Sequence, residues 1–372
     1  MAEHAVALIT HFEWVSVSTS VLNTATFLSE RGYDVDLYLI PSERFPPPAL
    51  DSPGTRLLPA SDARFPGNCL KLAWRYRKAP HAYRFIIGFD PQGGLLAGVM
   101  SLIWRAPYLF HSLELMHAAT WKQRLRERIE RFFIRRAEFV LVQDDRRAAA
   151  LAAQYRLPRD NVLLAVNGPM GDPLPERSNF LREKFRISAE RRIVLAVGSL
   201  MRETMVDRVV QASDAWPDEY VLVLHGWVPD ASLEAWLRQQ CTHRPARVYL
   251  STELLPEQRK YDVFQSADIG LVLYDPRDTN LRLAAGSAGK LLDFMRVGVP
   301  VIGNDIEGMR DLVEGNNVGR VVAGPERIDE VLAEVWARRD ELRASCFSAY
   351  QRYRFEASYA AVLDRVEAAC PA

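Results

Sequence analysis

A short segment in the second half of the chain combines a cation, a carboxylate and a turn of small residues. Gly-Ser-Ala-Gly at 286–289 precedes Lys290 and Asp293, and Gly298 and Pro300 follow the apolar stretch after them. This order predicts a helix that begins after the turn and ends at Gly298, with a strand after Pro300. N–H groups at a helix start attract phosphate, Lys290 adds positive charge, and Asp293 can accept hydrogen bonds from a ribose diol. The segment has the groups needed to hold a nucleoside diphosphate.

This segment resembles the donor-site signature of retaining glycosyltransferases of family 4, which have the GT-B fold. The matching residues are Ser287, Lys290, Leu291, Gly298, Pro300, Val301 and Ile302. Asp293 stands where the family has Glu, Phe294 where it has Tyr, and Ala288 where it has Pro. The resemblance, which extends more weakly over nearly the whole chain, implies a set of phosphate contacts: Gly286, Ser287, Ala288 and the catalytic Lys290. It also implies that Asp293 binds the donor.

Residues 194–200 resemble the strand and glycine turn that lie beneath the donor phosphates in the family. Gly198 allows the backbone to approach a phosphate closely. The family continues with a Lys-Gly pair where this chain has Thr204 and Met205. Arg202 either replaces that lysine as a catalytic cation, because a guanidinium offers two donors to phosphate, or is a solvated loop residue.

The other donor-site candidates follow the ends of predicted strands. They are Ser199, His225, Gly226, Thr252, Leu254, Tyr274 and Asn280. His225 has a second interpretation as a structural histidine. The first of two family glutamates corresponds to Ala285, which has no hydrogen-bonding side chain. The resemblance implies that the loop around Ser287 takes over those contacts.

The acceptor side is expected in the first half of the chain. Residues 107–115 resemble the family strand that ends in a histidine near the reaction centre, which implies that His111 hydrogen-bonds the transferred sugar. Without the resemblance, His111 would be interpreted as a structural residue. Glu114 would orient His111 or the acceptor. The remaining acceptor-site candidates follow the first predicted strand: His11, Glu13 and Ser16.

Apolar strand-like runs alternate with helix-like segments along all 372 residues, which predicts parallel α/β sheets. The first-half strands are predicted at 5–10, 35–40, 84–88, 108–111 and 139–143, with a proline-rich loop at 41–59. The second-half strands are predicted at 193–197, 220–224, 248–250, 269–273 and 299–302. Helices are predicted at 18–31 and from about Gln92. The length fits two domains of ordinary size.

With the resemblance, these elements imply an α/β GT-B fold: two Rossmann-like doubly wound domains facing a central cleft. The expected division is an acceptor-binding domain at 1–170, a linker at 171–190, a nucleotide-sugar-binding domain at 191–349 and a helix at 350–372 that crosses back to the first domain. Ligands of such sheets bind at the carboxyl ends of the strands.

Composition excludes some partners. Lys+Arg and Asp+Glu both number 47, and a net charge of zero argues against a nucleic-acid binder. The cysteines have no metal-ligand spacing and no secretory leader is recognised, which favours the cytoplasm. No metal site and no cofactor are expected, the nucleotide sugar being a co-substrate.

A basic amphipathic segment at 121–138 has two interpretations. Its cations are Lys122, Arg124, Arg126, Arg128, Arg131, Arg135 and Arg136. Such a helix either makes a peripheral contact with the inner face of an anionic membrane or packs on the sheet with a solvated basic face.

The sequence therefore predicts a retaining, metal-independent glycosyltransferase that moves a hexose-type sugar from a nucleotide donor to a glycan, lipid-linked or small-molecule acceptor. Two alternatives stay open. One is a catalytically degenerate GT-B protein that acts as a binding or partner subunit, and the other is a GT-B sugar-nucleotide epimerase.

Overall fold

A computed structural model describes residues 4–48, 50, 52–60, 67–78, 80–115, 121–255 and 259–370, without the side chains of 67–70 and 121–126. The chain divides into two compact units, one of Met1–Met170 with Phe355–Ala372 and one of Gly171–Arg354. Residues 171–190, expected to be a linker, belong to the second unit and include a short helix, Phe180–Phe185.

The first unit is built on a sheet of seven parallel strands. They are β1 (Ala5–Ile9), β2 (Asp34–Leu39), β3 (Thr55–Pro59), β4 (Tyr83–Phe89), β5 (Tyr108–His111), β6 (Phe139–Val142) and β7 (Val162–Leu164). Their order is β3-β2-β1-β4-β5-β6-β7, so the winding reverses between β1 and β4. Every residue of β1, β5 and β6 is buried, because helices cover both faces of a parallel sheet.

Six helices accompany this sheet in the described residues. They are α1 (Thr19–Glu30), α2 (Gly67–Arg75), α3 (Asp90–Trp104), α4 (Trp121–Ile134), α5 (Asp145–Tyr155) and the terminal α15 (Phe355–Ala369). The terminal helix packs into the core of this unit, where the rings of Phe355 and Tyr359 lie 6.0 and 5.5 Å from that of Phe27.

The second unit has six parallel strands. They are β8 (Arg192–Val197), β9 (Tyr220–His225), β10 (Val248–Ser251), β11 (Ile269–Val272), β12 (Val301–Asn304) and β13 (Gly319–Val322), in the order β10-β9-β8-β11-β12-β13. The helices are α6 (Phe180–Phe185), α7 (Val206–Ala212), α8 (Ala231–His243), α9 (Lys260–Gln265), α10 (Thr279–Arg282), α11 (Gly289–Val297), α12 (Met309–Val313), α13 (Asp329–Ala337) and α14 (Arg339–Tyr350). The winding reverses between β8 and β11, where ligands of doubly wound sheets bind.

Ten predicted strands are present within two residues of their expected bounds, and three strands were missed. The region at 41–59, expected to be a loop, ends in β3. Because the residues of β3 are largely exposed, its sequence is not a continuous apolar run. The other two missed strands, β7 and β13, have three and four residues. The tail helix, expected from Tyr350, begins at Phe355 because Arg354 is extended.

Within the described part of the chain, no helix is both long and apolar enough to cross a bilayer.

Candidate functional site

Three loops of the second unit meet at the carboxyl edge of its sheet. The N–H of Gly198 donates to the carbonyl of His225 at 3.0 Å, and that of Gly226 to the carbonyl of Ser251 at 2.9 Å. A Cβ on Gly226 would lie only 1.8 Å from the Gly198 oxygen, so this contact requires glycine. A Cβ on Gly198 would meet nothing within 4 Å. The backbone at Gly198 is therefore open to a ligand.

Lys290 lies in the first turn of α11, beside the loop that follows β8. Its Nζ is 5.0 Å from the centroid of the Tyr274 ring. Its side chain lines a cavity of about 10 Å³ together with Ser199 and Thr204. Burial lowers the pKa of Lys290 to about 8. Since no carboxylate of the described residues forms an ion pair with it, the positive charge is available to an anion.

Tyr274 is held by a residue that the sequence analysis did not select. Its N–H donates to Oδ1 of Asn304 at 2.9 Å, and Nδ2 of Asn304 donates to its carbonyl at 2.8 Å. Asn304 is buried at the end of β12. In the sequence, the feature that could have identified Asn304 is an amide side chain that follows an apolar run directly. This amide fixes the loop whose ring faces Lys290.

Asp293 occupies a different environment from the expected one. The side chain is buried, Oδ1 accepts a hydrogen bond from the Tyr261 hydroxyl at 2.9 Å, and Oδ2 lies 3.1 Å from Nζ of Lys260. Both partners belong to α9. The carboxylate therefore stabilises the packing of α9 on α11 and does not present its oxygens to solvent, contrary to the ribose contact expected from the sequence.

Arg202 is also paired. Its half-exposed guanidinium donates to Asp207 Oδ2 at 2.8 Å, and it does not line the cavity beside Lys290. Thr204, which stands where the family has lysine, donates through its hydroxyl to the Ser199 carbonyl at 3.1 Å. The hydroxyl thus fixes the loop after β8. In this structure Arg202 does not take the place of the missing lysine.

The remaining donor-site candidates surround the same edge of the sheet. His225 is buried. Burial and then the charge of Lys184 lower its pKa to about 4, against the opposing charge of Glu253, so the ring is neutral. Thr252 accepts a hydrogen bond from Arg238 at 3.2 Å. Three more follow in order along the chain: exposed Leu254, Asn280 on α10, and Gly286 in a 3-10 turn. Ser287 donates to the Ala284 carbonyl at 3.2 Å, and Ala288 is the buried N-cap of α11.

The first unit contains a largely apolar cavity of about 290 Å³. Its apolar lining includes Phe12, Trp14, Phe89, Leu95, Leu115 and Ile129, and its polar lining His11, Asp90, Gln92, Glu114 and Glu130. The rings of Phe12 and Trp14 stack with centroids 5.0 Å apart, and Trp14 is 45% exposed. The cavity brings two acceptor-site candidates together, His11 and Glu114.

Asp90 turns the chain from β4 into α3 at the wall of this cavity. Its φ of 58° is in the left-handed region, which is unusual for a residue other than glycine. Its Oδ1 accepts hydrogen bonds from the N–H groups of Leu113 and Glu114 at 2.8 and 3.0 Å. Burial, and then the charge of Glu114, raise the pKa of Asp90 to about 7. Nothing in the sequence around Asp90 identifies it as a site residue.

Glu130 of α4 is the second carboxyl that the sequence analysis missed. Its side chain is 2% exposed, and Oε2 has no hydrogen-bond partner among the described residues. Burial, together with the charges of Asp90 and Glu127, raises the pKa of Glu130 to about 8. A hydrogen bond with Tyr155 acts in the opposite direction and lowers this pKa. A carboxyl on a basic amphipathic helix gave no signal of burial.

His111, expected near the reaction centre, lies inside the first unit. It is buried on β5, its ring centroid is 5.0 Å from that of Phe89, and it does not line the cavity. Burial lowers the pKa of His111 to about 3, so the ring is neutral. Neither ring nitrogen has a partner in the described ranges. The structure does not place this side chain where it could contact a sugar.

Two acceptor-site candidates, Glu13 and Ser16, line a separate groove of about 280 Å³ with the prolines at 46–48. Glu13 accepts a hydrogen bond from Ser42 at 3.3 Å. The structure therefore separates them from His11 and Glu114.

The basic helix α4 packs on α3. The Phe133 ring lies where a Cβ on Gly98 would be, and Ile134 is buried. The side chains of Lys122, Arg124 and Arg126 lie outside the described residues. The membrane contact expected from this helix stays a prediction.

Both units match glycosyltransferase domain families. Residues 17–168 match the family described as a glycosyl transferase 4-like domain, and residues 191–337 match the family of glycosyl transferases group 1. The chain is a glycosyltransferase of the GT-B fold. No curated protein sequence matches the chain.

Solved glycosyltransferase structures resemble this GT-B enzyme over nearly its whole length. HepE of Anabaena, in complex with UDP, has a TM-score of 0.73 at 14% identity and covers 98% of this chain and 100% of its own. Sucrose-phosphate synthase of Thermosynechococcus elongatus has a TM-score of 0.74 at 16% identity, with the same coverage. WaaG, a glycosyltransferase involved in lipopolysaccharide biosynthesis, has 0.65 at 18% identity, covering 93% and 94%. At such identities the likeness establishes the fold.

We expect Asp293→Asn to destabilise the second unit. Lys260 would lose the negative charge of Asp293. Such a loss costs about 3–5 kcal/mol for a fully buried pair and less here because Lys260 is 19% exposed, so about 1–3 kcal/mol. Urea unfolding measures the loss. The double variant with Lys260→Met should regain part of it. Unchanged stability with weakened nucleotide binding would instead restore the expected ribose contact.

We expect Glu130→Gln to stabilise the protein at alkaline pH. The folded pKa of about 8 exceeds the ordinary 4.5, so the stability contributed by this carboxyl is full below about pH 4.5 and is lost as pH rises through 8. The variant should therefore melt several degrees above wild type at pH 8.5, at about 2–4 °C for each kcal/mol, and near wild type at pH 5. The same difference in melting temperature between variant and wild type at both pH values would contradict the burial of Glu130.

Proposed function

We propose that this GT-B enzyme transfers a hexose-type sugar from a nucleoside-diphosphate sugar to a glycan, lipid-linked or small-molecule acceptor, with retention of the anomeric configuration. The observation that carries the proposal is Lys290, a cation without an ion-pair partner in the described residues. It lies at the start of α11, beside Ser199, which follows the open backbone of Gly198. This arrangement is suited to an anion with two phosphates.

The chemistry requires stabilisation of the diphosphate as it leaves the sugar. Negative charge grows on its oxygens while the glycosidic bond breaks, and fixed positive groups lower the barrier most. The N–H groups at the start of α11 and the ammonium of Lys290 are such positive groups, and they need no reorganisation during the reaction. We therefore expect transfer without a metal ion, by front-side displacement in which the leaving phosphate takes the acceptor proton. No protein nucleophile is invoked.

Uridine is the first base to test. The HepE structures contain UDP, UDP-glucose, or UDP with glucose. The base in such folds is bound largely by backbone, so the loop after β10 does not distinguish uridine from guanosine or thymidine by residue type.

A binding role without catalysis is the second candidate. It is favoured by Arg202, whose pairing with Asp207 leaves the diphosphate without the second family cation, and by Ala285 in place of a glutamate. Such a protein would bind UDP-sugar and neither hydrolyse nor transfer it. Measured turnover of donor in the presence of acceptor mixtures separates the two. An epimerase would instead convert the sugar of the donor while it remains a nucleotide sugar.

Lys290→Met should weaken UDP binding. Loss of charge-assisted hydrogen bonds to phosphate costs about 1.5–3 kcal/mol, which is about 10–100-fold in Kd by isothermal titration calorimetry. If transfer is detected, kcat should fall about 10²–10³-fold. The matched control is Lys78→Met, the same change at an exposed position of the first unit. Equal UDP affinity in wild type and Lys290→Met would remove the basis of the proposal.

The same lysine predicts a pH dependence. Its pKa of about 8 means that it carries its charge at pH 7 and loses most of it by pH 9. The Kd for UDP should therefore rise about tenfold between pH 7 and pH 9 in wild type and stay flat in Lys290→Met. A wild-type Kd that is constant over this range would show that another group binds the phosphates.

A further inference from the structure

The cavity of the first unit combines acidic and aromatic side chains. Three of its lining residues are carboxyls, namely Asp90, Glu114 and Glu130, while no lysine or arginine is among the described lining residues. Stacked Phe12 and half-exposed Trp14 form an aromatic wall. Carboxylates accept hydrogen bonds and aromatic faces attract cations, so both kinds of wall favour a positively charged group.

Glu130 provides the observation that points to a ligand. It is almost fully buried, and its Oε2 has no partner among the residues described. Its hydrogen-bonding neighbour is the Tyr155 hydroxyl, and no cation of the described chain pairs with it. Buried carboxylates are ordinarily paired, because desolvation of an isolated one is costly. A donor on a ligand in the cavity would satisfy this oxygen.

We infer that this cavity binds the ammonium group of an amine-bearing acceptor, in which the amine is carried on a single sugar-sized ring. The ammonium would donate to Oε2 of Glu130 and to Asp90, and the ring would lie against Phe12 and Trp14. At about 290 Å³ the cavity is at the lower end of the ~300–1,000 Å³ typical of ligand sites, so it suits one ring rather than an oligosaccharide.

A neutral polyol would fit this cavity less well. Its hydroxyls could hydrogen-bond to the carboxyls, but they would leave the mutual repulsion of Asp90, Glu114 and Glu130 uncompensated. Arg147 is near enough to Asp90 to offset part of its charge. Among the described residues Glu130 has no such neighbour, since the charges that act on it are those of Asp90 and Glu127. An ammonium group compensates Glu130 directly.

Proton linkage gives the site a pH dependence. The groups that face it are Asp90, Glu114, Glu127, Glu130, His11, Arg147 and Tyr155. The pKa values of about 7 and about 8 mean that Asp90 and Glu130 are largely protonated at pH 6 and ionised above pH 8. An aliphatic amine stays charged across this window. Its affinity should therefore increase with pH, in the opposite direction to that of UDP.

The inference rests on the proposed function only where it assigns the amine the role of acceptor. Binding of the amine to the cavity can be measured directly, in the absence of a sugar donor. The probes are 6-amino-6-deoxyglucose, glucose, and the N-acetylated form of the amino sugar. We expect the amino sugar to bind at least about tenfold more tightly than either neutral sugar at pH 8, by ligand-observed NMR titration. We also expect its Kd to fall about tenfold from pH 6 to pH 8.

Variants locate the interaction. Glu130→Gln should weaken amino-sugar binding at least about tenfold and leave glucose binding within twofold, because it removes the charge and keeps the shape. Asp90→Asn, which retains the oxygen that accepts from the Leu113 and Glu114 backbone, is the second variant and should act in the same direction. Glu138→Gln, the same change at an exposed position of the first unit outside the cavity lining, is the matched control and should change nothing.

Equal binding of the amino sugar and glucose, no detectable binding of the amino sugar, or unchanged amino-sugar binding in both cavity variants would overturn the inference. UDP binding in the same preparation separates the two proposals. If UDP binds and the amino sugar does not, only the cavity inference fails. If the amino sugar binds and UDP does not, the proposed function fails and the amine site stands.

Discussion

Each unit depends on the close approach of a glycine to backbone at the carboxyl edge of its parallel sheet. In the second unit, a Cβ on Gly226 would overlap the Gly198 oxygen. In the first, a Cβ on Gly93 would lie 2.5 Å from the Ile9 oxygen, which fixes the start of α3 against the end of β1. Any larger residue would separate these loops. These backbone contacts position the loop after β8, next to Lys290, and the Asp90 turn, together with the side-chain hydrogen bonds of Thr204 and Asp90.

The buried groups at the carboxyl edges of the two sheets have opposite charges but similar surroundings. Lys290 and Glu130 are both desolvated, both lack an opposite charge among the described residues, and their pKa values shift toward neutrality, to about 8 in each case. Burial disfavours the charged form of either group. Charges elsewhere near the two sites, such as Asp293 and Arg202, are paired. The two uncompensated groups are thus distinguished by their surroundings and not by their residue type.

The sequence was sufficient for the fold wherever a strand is an uninterrupted apolar run of at least four residues, and the three apolar residues of β7 were too few. It failed at β3, whose residues are mostly exposed, because such a strand is defined by its neighbour β2 and not by its own pattern. At the candidate site, the motif predicted that Lys290 and Ser287 share a helix start. It could not predict that Asp293 pairs with Lys260, 33 residues earlier, since nothing in either segment identifies the other. Likewise, Asp90 and Glu130 are 40 residues apart, and only the packing of α4 on α3 makes them neighbours.

A buried carboxyl without a cationic partner lowers the stability of the first unit, and the same burial strengthens its interaction with a cation. In water, an ammonium that meets a carboxylate gains little, because both ions must first lose their hydration. At Glu130 the carboxyl has lost its water during folding, so only the ligand is dehydrated on binding. The cost appears in the folding equilibrium and the gain in the binding equilibrium. The free energy lost at alkaline pH and the affinity gained for an amine therefore have one physical origin, the low-dielectric surroundings of a single oxygen atom.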